Sequence, residues 1–570
     1  MPEVAKVQVL AGSGSDADPA VPGSRRHWRW LRWLPRRYST VGSIVALVLL
    51  WLSLSPALLP RSGLFQGVVS GASAAIGYGL GSLLTAAWNG VRRRSGGNAP
   101  ALARRLLGLA AVLGSALGLI WFAHWQAQLR TLMGMGPAPW PEYVVIPVLT
   151  GVIFVVLVGA ARTWVTAARW VGRQVNRIAP PRVSALVGVV LVVALTVGLL
   201  NGVVVRALMS AMNSSFAAVN QETQAGTKAP TTPQLSGGPS SLVTWDSLGR
   251  QGRTFVAGGP TPAALEAFSA KPARQPIRAY TGLASADTVR DEAELAVREL
   301  DRAGGFDRAV LGVVTTTGSG WINESSASAL EYAYNGNTAL VSMQYSYLPS
   351  AASFVVDSNR AQQAGRELFT VVFAKWESLP AATRPKLVVF GESLGSFGGE
   401  AAFSGAQDIR ARIDGALFVG PTSSNPLWGS FVADRDPGTP QWLPTFEHGR
   451  TVRFVARPSD LDRPAQPWPL PRVVYLQYAS DPVTWWSPSL LFRKPDWLRE
   501  PRGYDVLPST RWYPIITFLQ LAADMAISHD VPDGHGHRYG ADPANAWAAI
   551  LQPAGWTAAD TQRLRGVLGS

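Results

Sequence analysis

Residues 386–400, KLVVFGESLGSFGGE, constrain this chain more than any other stretch. Lys386 to Phe390 read as a buried strand, and Gly391-Glu392-Ser393-Leu394-Gly395 then follows the pattern G-x-S-x-G. Small residues come next (Ser396, Gly398, Gly399, Ala401, Ala402), as expected where a helix starts tight against a sheet. A serine at so sharp a strand-to-helix turn occupies strained backbone, so the positions two before and two after it must lack bulky side chains. The helix N-terminus behind it favours developing negative charge. The five-residue pattern alone arises readily by chance. The strand before it and the small-residue helix after it make it a nucleophile elbow.

With 570 residues the chain has room for two or three domains. It has no cysteine, so a disulfide framework, a zinc-thiolate site and a thiol nucleophile are all excluded. The net charge of +14 suggests a nucleic-acid partner, but its distribution argues against one. Residues 1–207 carry 20 Lys/Arg against 4 Asp/Glu, whereas residues 208–570 carry 31 against 33. The positive charge lies in the half that is rich in apolar runs, which is a membrane-topology pattern.

Five apolar runs, near 40–57, 64–88, 106–126, 142–161 and 183–205, each approach the roughly 20 residues that span a bilayer. The second is rich in Gly, Ala and Ser, suiting close helix packing. Arg25, Arg26, Arg29, Arg32, Arg36 and Arg37 precede the first run. Arg92, Arg93, Arg94, Arg104 and Arg105 lie between the second and third. Arg162, Arg169, Arg173, Arg177 and Arg182 lie around the fourth-to-fifth connection. The alternate loops hold only Arg61 and Arg130, so 16 arginines face 2. The expected topology has the N-terminus in the cytoplasm and everything after the fifth span outside it. The expected organisation is a basic tail (1–38), an all-α transmembrane bundle of about five helices (39–207), a polar stalk or linker (208–242) and an α/β domain (243–570).

From residue 243 on, strand and helix patterns alternate, as in a mostly parallel sheet wrapped by helices. Strands are expected at 276–280, 309–315, 338–345, 386–390, 413–419 and 473–478. Helices are expected at 285–303, 327–334 and 359–376.

A serine nucleophile needs a base, an acid that orients the base, and donors for the oxyanion. In this kind of fold the order along the chain is Ser, then acid, then His. Asp481 ends the strand-like run 472–480 and is the expected acid, with Asp505 and Asp533 as weaker alternatives. That run should be the next-to-last strand, with the histidine on a turn after the last. His529, His535 and His537 follow it, and the glycine-flanked segment PDGHGHRY at 532–539 holds two of them. His537 is slightly favoured because Gly534-x-Gly536-His537 resembles a common histidine loop, and His535 remains open. The oxyanion donors should be the backbone N–H of Leu394 and that of Thr316 or Thr317, in the small-residue loop after the second strand. Trp485-Trp486 and Leu490-Leu491-Phe492 after the acid suit either an apolar acyl pocket or core packing. Residues 245–253 border the site or tie the stalk to the domain.

The runs TTTGSGW (315–321), MQYSYLPS (343–350), GESLGS (391–396), YLQYASDPVTWW (475–486) and GHGHRY (534–539), together with residues 245–253, give the chain a specific resemblance. It resembles a bacterial, actinobacterial-type family of membrane-anchored α/β-hydrolases with an N-terminal multi-span region. The resemblance implies an α/β-hydrolase fold, with Ser393, Asp481 and the 535/537 histidine pair in the triad positions. Neither a cofactor nor a metal is expected. The expected partners are the lipid bilayer and an ester or acyl substrate of the cell envelope. The activity is then a serine ester hydrolase of esterase or lipase type. An acyltransferase with the same triad is the alternative, and a non-catalytic membrane scaffold is the third reading.

Overall fold

The computed structural model describes residues 39–92, 100–176, 180–199, 205–349, 352–354 and 358–569. The basic tail 1–38 and Arg93, Arg94 and Arg177 lie outside the described residues.

Six helices open the described chain: α1 (Thr40–Ser53), α2 (Gly63–Arg92), α3 (Ala101–Leu132), α4 (Pro141–Val175), α5 (Pro181–Leu199) and α6 (Val205–Gln221). The five expected spans are corrected to three: among the described residues only α2, α3 and α4 are long and apolar enough to cross a membrane. Helix α1 stops at 14 residues because Pro56 and Pro60 follow it closely, and proline removes a helical N–H and clashes with the preceding turn. The described apolar part of α5 runs only over Leu186–Gly198. Close packing on α2 follows from its small residues. A Cβ on Gly77 would stand 2.7 Å from Val45 O of α1, and one on Gly71 would stand 2.6 Å from Ile153 Cβ of α4.

The second half is built on seven strands: β1 (Ile277–Thr281), β2 (Val310–Thr315), β3 (Thr338–Met343), β4 (Lys386–Glu392), β5 (Gly415–Val419), β6 (Val452–Val455) and β7 (Arg472–Leu476). Their order is β1-β3-β2-β4-β5-β7-β6, and every pairing is parallel. The strands are buried almost throughout, as expected of a sheet covered on both faces. Helices Val289–Arg302, Ser358–Glu377 and Leu394–Glu400 share one core with one face, and Glu324–Ala333 and Asp542–Leu551 share another with the opposite face. Because all strands run the same way, the loops after β2, β4, β5 and β7 emerge at one edge, where open α/β sheets hold their sites.

Three features differ from the sequence-based expectation. The edge strand β6 was not expected. Among the described residues β7 is the last strand, so the histidine loop follows helix Ile516–Ala526 and not a further strand. The polar stretch after α6 runs along β1: Leu235 bridges Arg278, and Ser236, Ser241 and the Leu242 N–H all donate to the buried Glu299 carboxylate. Burial pushes that carboxylate up, but Arg302 and these donors outweigh it and hold it below its ordinary range. Arg253, from the segment 245–253, donates to the carbonyls of Asn220, Gln221 and Glu222 and so caps the end of α6.

Candidate active site

Ser393 joins β4 to helix Leu394–Glu400 with φ 55° and ψ −120°, a conformation that side-chain-bearing residues rarely adopt. The flanking glycines make it possible. A Cβ on Gly391 would collide with the Gly395 carbonyl, and one on Gly395 would collide with the Thr315 carbonyl. The elbow is pinned from the next strand, since the Ser393 N–H donates to Val419 O at 2.8 Å. Leu394 begins the helix, so its N–H has no intrahelical acceptor.

The residue after Val419 is Gly420, and its bare Cα admits the ring of His537: a Cβ there would overlap His537 Cε1. His537 Nδ1 lies 2.7 Å from Asp481 Oδ2, with His537 only 4% exposed and Asp481 fully buried. Asp481 Oδ1 accepts from the Val483 N–H at 2.9 Å, and Oδ2 also accepts from Tyr539 Oη at 2.7 Å. With one proton on Nδ1, the lone pair of Nε2 is left free, and Nε2 is buried without a hydrogen-bond partner. Burial alone lowers the affinity of His537 for a proton. The Asp481 charge, its hydrogen bond and the nearby Glu392 outweigh that, so the imidazole is held above its ordinary pKa.

Of the other candidates, His535 points to Asp505, its Nδ1 3.4 Å from Asp505 Oδ2. That carboxylate also accepts from Ser480 Oγ, which itself receives the Gly536 N–H at 2.9 Å. Asp505 therefore ties the acid turn to the histidine loop. His529 packs edge-on against His537 with centroids 5.3 Å apart, and burial followed by the His537 charge pushes it down. Asp533 pairs with Arg538 at 2.9 Å, half exposed. In the loop after β2 the Thr317 N–H already donates to Trp321 O at 2.9 Å, while Thr316 anchors the loop through Oγ1 to Met343 O. Trp485 and Trp497 are buried in the core, with Trp485 Nε1 on Tyr478 O, whereas Phe492 is 80% exposed. A cavity of about 490 Å³ between Leu132 and residues 500–511 shares no lining residue with Ser393, Asp481 or His537.

Tyr539 and Glu392 escaped the sequence reading. Tyr539 stands two residues after His537, which is the one signal that could have found it. Glu392 is buried beside Ser393 and accepts from Asn323 Nδ2. Burial, helped by Asp481, pushes its carboxyl up to about 7 against the opposing pull of His537 and Asn323. Among the described residues no cluster of His, Asp and Glu could hold a metal ion.

A parallel sheet with a strained serine at the end of β4, followed in chain order by an acid and a histidine at the same edge, defines an α/β-hydrolase fold. The chain belongs to the alpha/beta-hydrolase family: that family's profile matches residues 277–564, and the profile of the alpha/beta-hydrolase family N-terminus matches residues 54–260. No curated protein and no solved structure matches it.

Proposed function

We propose that the protein is a membrane-anchored serine hydrolase, esterase- or lipase-like, cleaving an ester of a bacterial cell envelope through Ser393, His537 and Asp481. The observation that carries this reading is the 2.7 Å His537–Asp481 contact, which leaves a buried, unpartnered Nε2. Ser393 Oγ attacks the ester carbonyl carbon while its proton passes to His537 Nε2. The C=O electron pair moves onto oxygen, where the Leu394 and Thr316 N–H groups receive it. The tetrahedral adduct then expels the alcohol, which takes the proton from Nε2, and the acyl group stays on Ser393. Water repeats the sequence, releasing the acid and restoring Ser393. Asp481 keeps the proton on Nδ1 and stabilises the imidazolium, and Tyr539 fixes Asp481 in turn.

The alternative is acyl transfer to an envelope lipid, sugar or protein, with an alcohol replacing water in the second half. Three apolar helices support residence in a membrane. The test is a fluorophosphonate probe on the full-length protein in detergent. Labelling of the wild type that is lost in Ser393→Ala supports either acyl chemistry. A folded wild type that resists the probe removes both and leaves the scaffold reading.

A further inference from the structure

The turn between α1 and α2, residues 54–61, lies against the loop that carries His537. The N–H groups of Leu58 and Leu59 donate to Asp524 Oδ2 at 3.1 and 3.3 Å. Gln520 Nε2 donates to the carbonyls of Ser53 and Ser55 at 3.2 and 2.9 Å. Arg61 Nε stands 3.1 Å from Asp524 Oδ1 with both side chains fully buried, a contact of charges without an aligned hydrogen bond. The membrane helices hold Arg61 from the other side: its Nη1 donates to Gln66 Oε1 of α2 at 2.8 Å, and its N–H to Gln126 Oε1 of α3 at 2.9 Å. Gln520 and Asp524 sit one turn apart on helix Ile516–Ala526, which runs directly into Ile527 and Ser528. Ser528 O accepts the His537 N–H at 2.9 Å. Leu59 closes the same loop from outside, since a Cβ on Gly536 would stand 3.4 Å from Leu59 Cδ2.

A tether needs none of this. Apolar contact would hold a helical hairpin to a domain, whereas a buried carboxylate is tolerated only where cations and N–H groups meet it. Without residues 58–61, Asp524 would lose its cation and two donors together. The catalytic half is therefore built to receive this turn.

We propose that Arg61 and the turn 54–61 are positioning elements of the catalytic site. Through Asp524 and Ser528 the membrane region holds the His537 ring in register with Ser393. The inference rests on the serine-hydrolase reading above, and its test separates the two. Full-length protein in detergent is compared with two variants for Ser393 labelling rate, kcat and KM on a p-nitrophenyl ester, and thermal unfolding. The double variant Arg61→Met/Asp524→Asn removes both charges together, and its new amide oxygen can still accept from Leu58 and Leu59. Leu59→Ala removes the buried side chain that packs on Gly536 and leaves Arg61 and Asp524 in place. Each is expected to stay folded with kcat and labelling rate reduced by about 10- to 100-fold and KM nearly unchanged, the signature of a displaced base. Arg61→Lys in the otherwise unaltered chain should retain part of the rate. Wild-type kcat in both folded variants overturns the inference and leaves the triad standing, and if the double variant fails to fold, Leu59→Ala decides alone. A wild type that is never labelled overturns the serine reading and this inference with it.

Discussion

His537 Nδ1 lies 2.7 Å from Asp481 Oδ2, while Nε2 of the same ring is buried with no hydrogen-bond partner. That asymmetry separates two histidines that differ by one glycine in the sequence. His535 spends its Nδ1 on Asp505 at 3.4 Å, a weak contact, and serves to hold the loop. His537→Ala should therefore lower kcat by roughly 10⁴- to 10⁶-fold, as far as Ser393→Ala does, because triad members act as a unit. His535→Ala should lose about tenfold or less, the effect of a loosened loop. Steady-state kinetics on folded variants check this, and the reverse order would reassign the base to His535.

The sheet and the elbow were legible because their signals are local. The run LVVF, the glycines at 391 and 395 and the small residues after them specify a strand, a strained serine and a tight helix within fifteen positions. The place of Asp481, just after a strand and beside His537, was legible because a strand end followed by proline can be read in place. The unread features depend on partners far along the chain. Glu299 gathers Ser236, Ser241 and the Leu242 N–H, so a polar stretch that reads as linker packs on the domain. Asp524 lies in an apolar helical pattern, and nothing near it announces Arg61, 463 positions earlier. The four-residue β6 carries Arg453, whose guanidinium donates to Leu461 O and Gln466 O, and so short and charged a run gives little strand signal.

The pH dependence follows from His537 and Glu392. In the proposed mechanism His537 is a neutral base, and its pKa is raised, so kcat/KM should climb with pH through a midpoint above the usual value of about 6.5 for histidine. Glu392 is one of the groups that raises it, so Glu392→Gln should move that midpoint to lower pH. A midpoint unmoved by the substitution would disconnect the two residues.

Stability should run the other way. A group whose folded pKa is raised stabilises fully below its unfolded pKa and loses that contribution as pH rises through the folded value. For Glu392 this window runs from about 4.5 to about 7. Wild type should thus lose more stability across that range than Glu392→Gln, which keeps the other raised groups such as Glu400 but not this one, so the variant should melt higher at pH 8 and the gap should close toward pH 4. Equal slopes of Tm against pH would refute this.

Ser393 holds φ at 55° against the preference of any residue with a Cβ. Ser393→Ala keeps the Cβ and the strain, whereas Ser393→Gly relieves it. Both remove the Ser393 hydroxyl, the proposed nucleophile, so they can be compared for stability alone. Ser393→Gly should be the more stable by about 1 kcal/mol or slightly less, since the freer unfolded chain of glycine offsets part of the relief. Denaturant unfolding of the two inactive proteins measures the difference, and equal midpoints would mean that the elbow is unstrained.

The side of the membrane follows from which turns touch the α/β domain. Leu58 and Leu59, between α1 and α2, and Met133, after α3, lie in the same buried core as Val531 and Trp497. At this end the three long helices carry only Arg61 and Arg130, whereas Arg92, Arg104, Arg105, Arg169 and Arg173 lie toward their opposite ends. Arg61 is consumed by Asp524, and Arg130 donates to Gly136 O. We propose that the domain lies on the arginine-poor side of these three helices, outside the cytoplasm. The absence of native cysteine gives a background-free test. Arg563→Cys, at a position 58% exposed on the α/β domain, should react with a membrane-impermeant maleimide in intact cells. Arg105→Cys, at the start of α3 near the opposite face, should react only after the cells are permeabilised. The opposite pattern would put the catalytic domain in the cytoplasm and exclude an envelope substrate on the outer face.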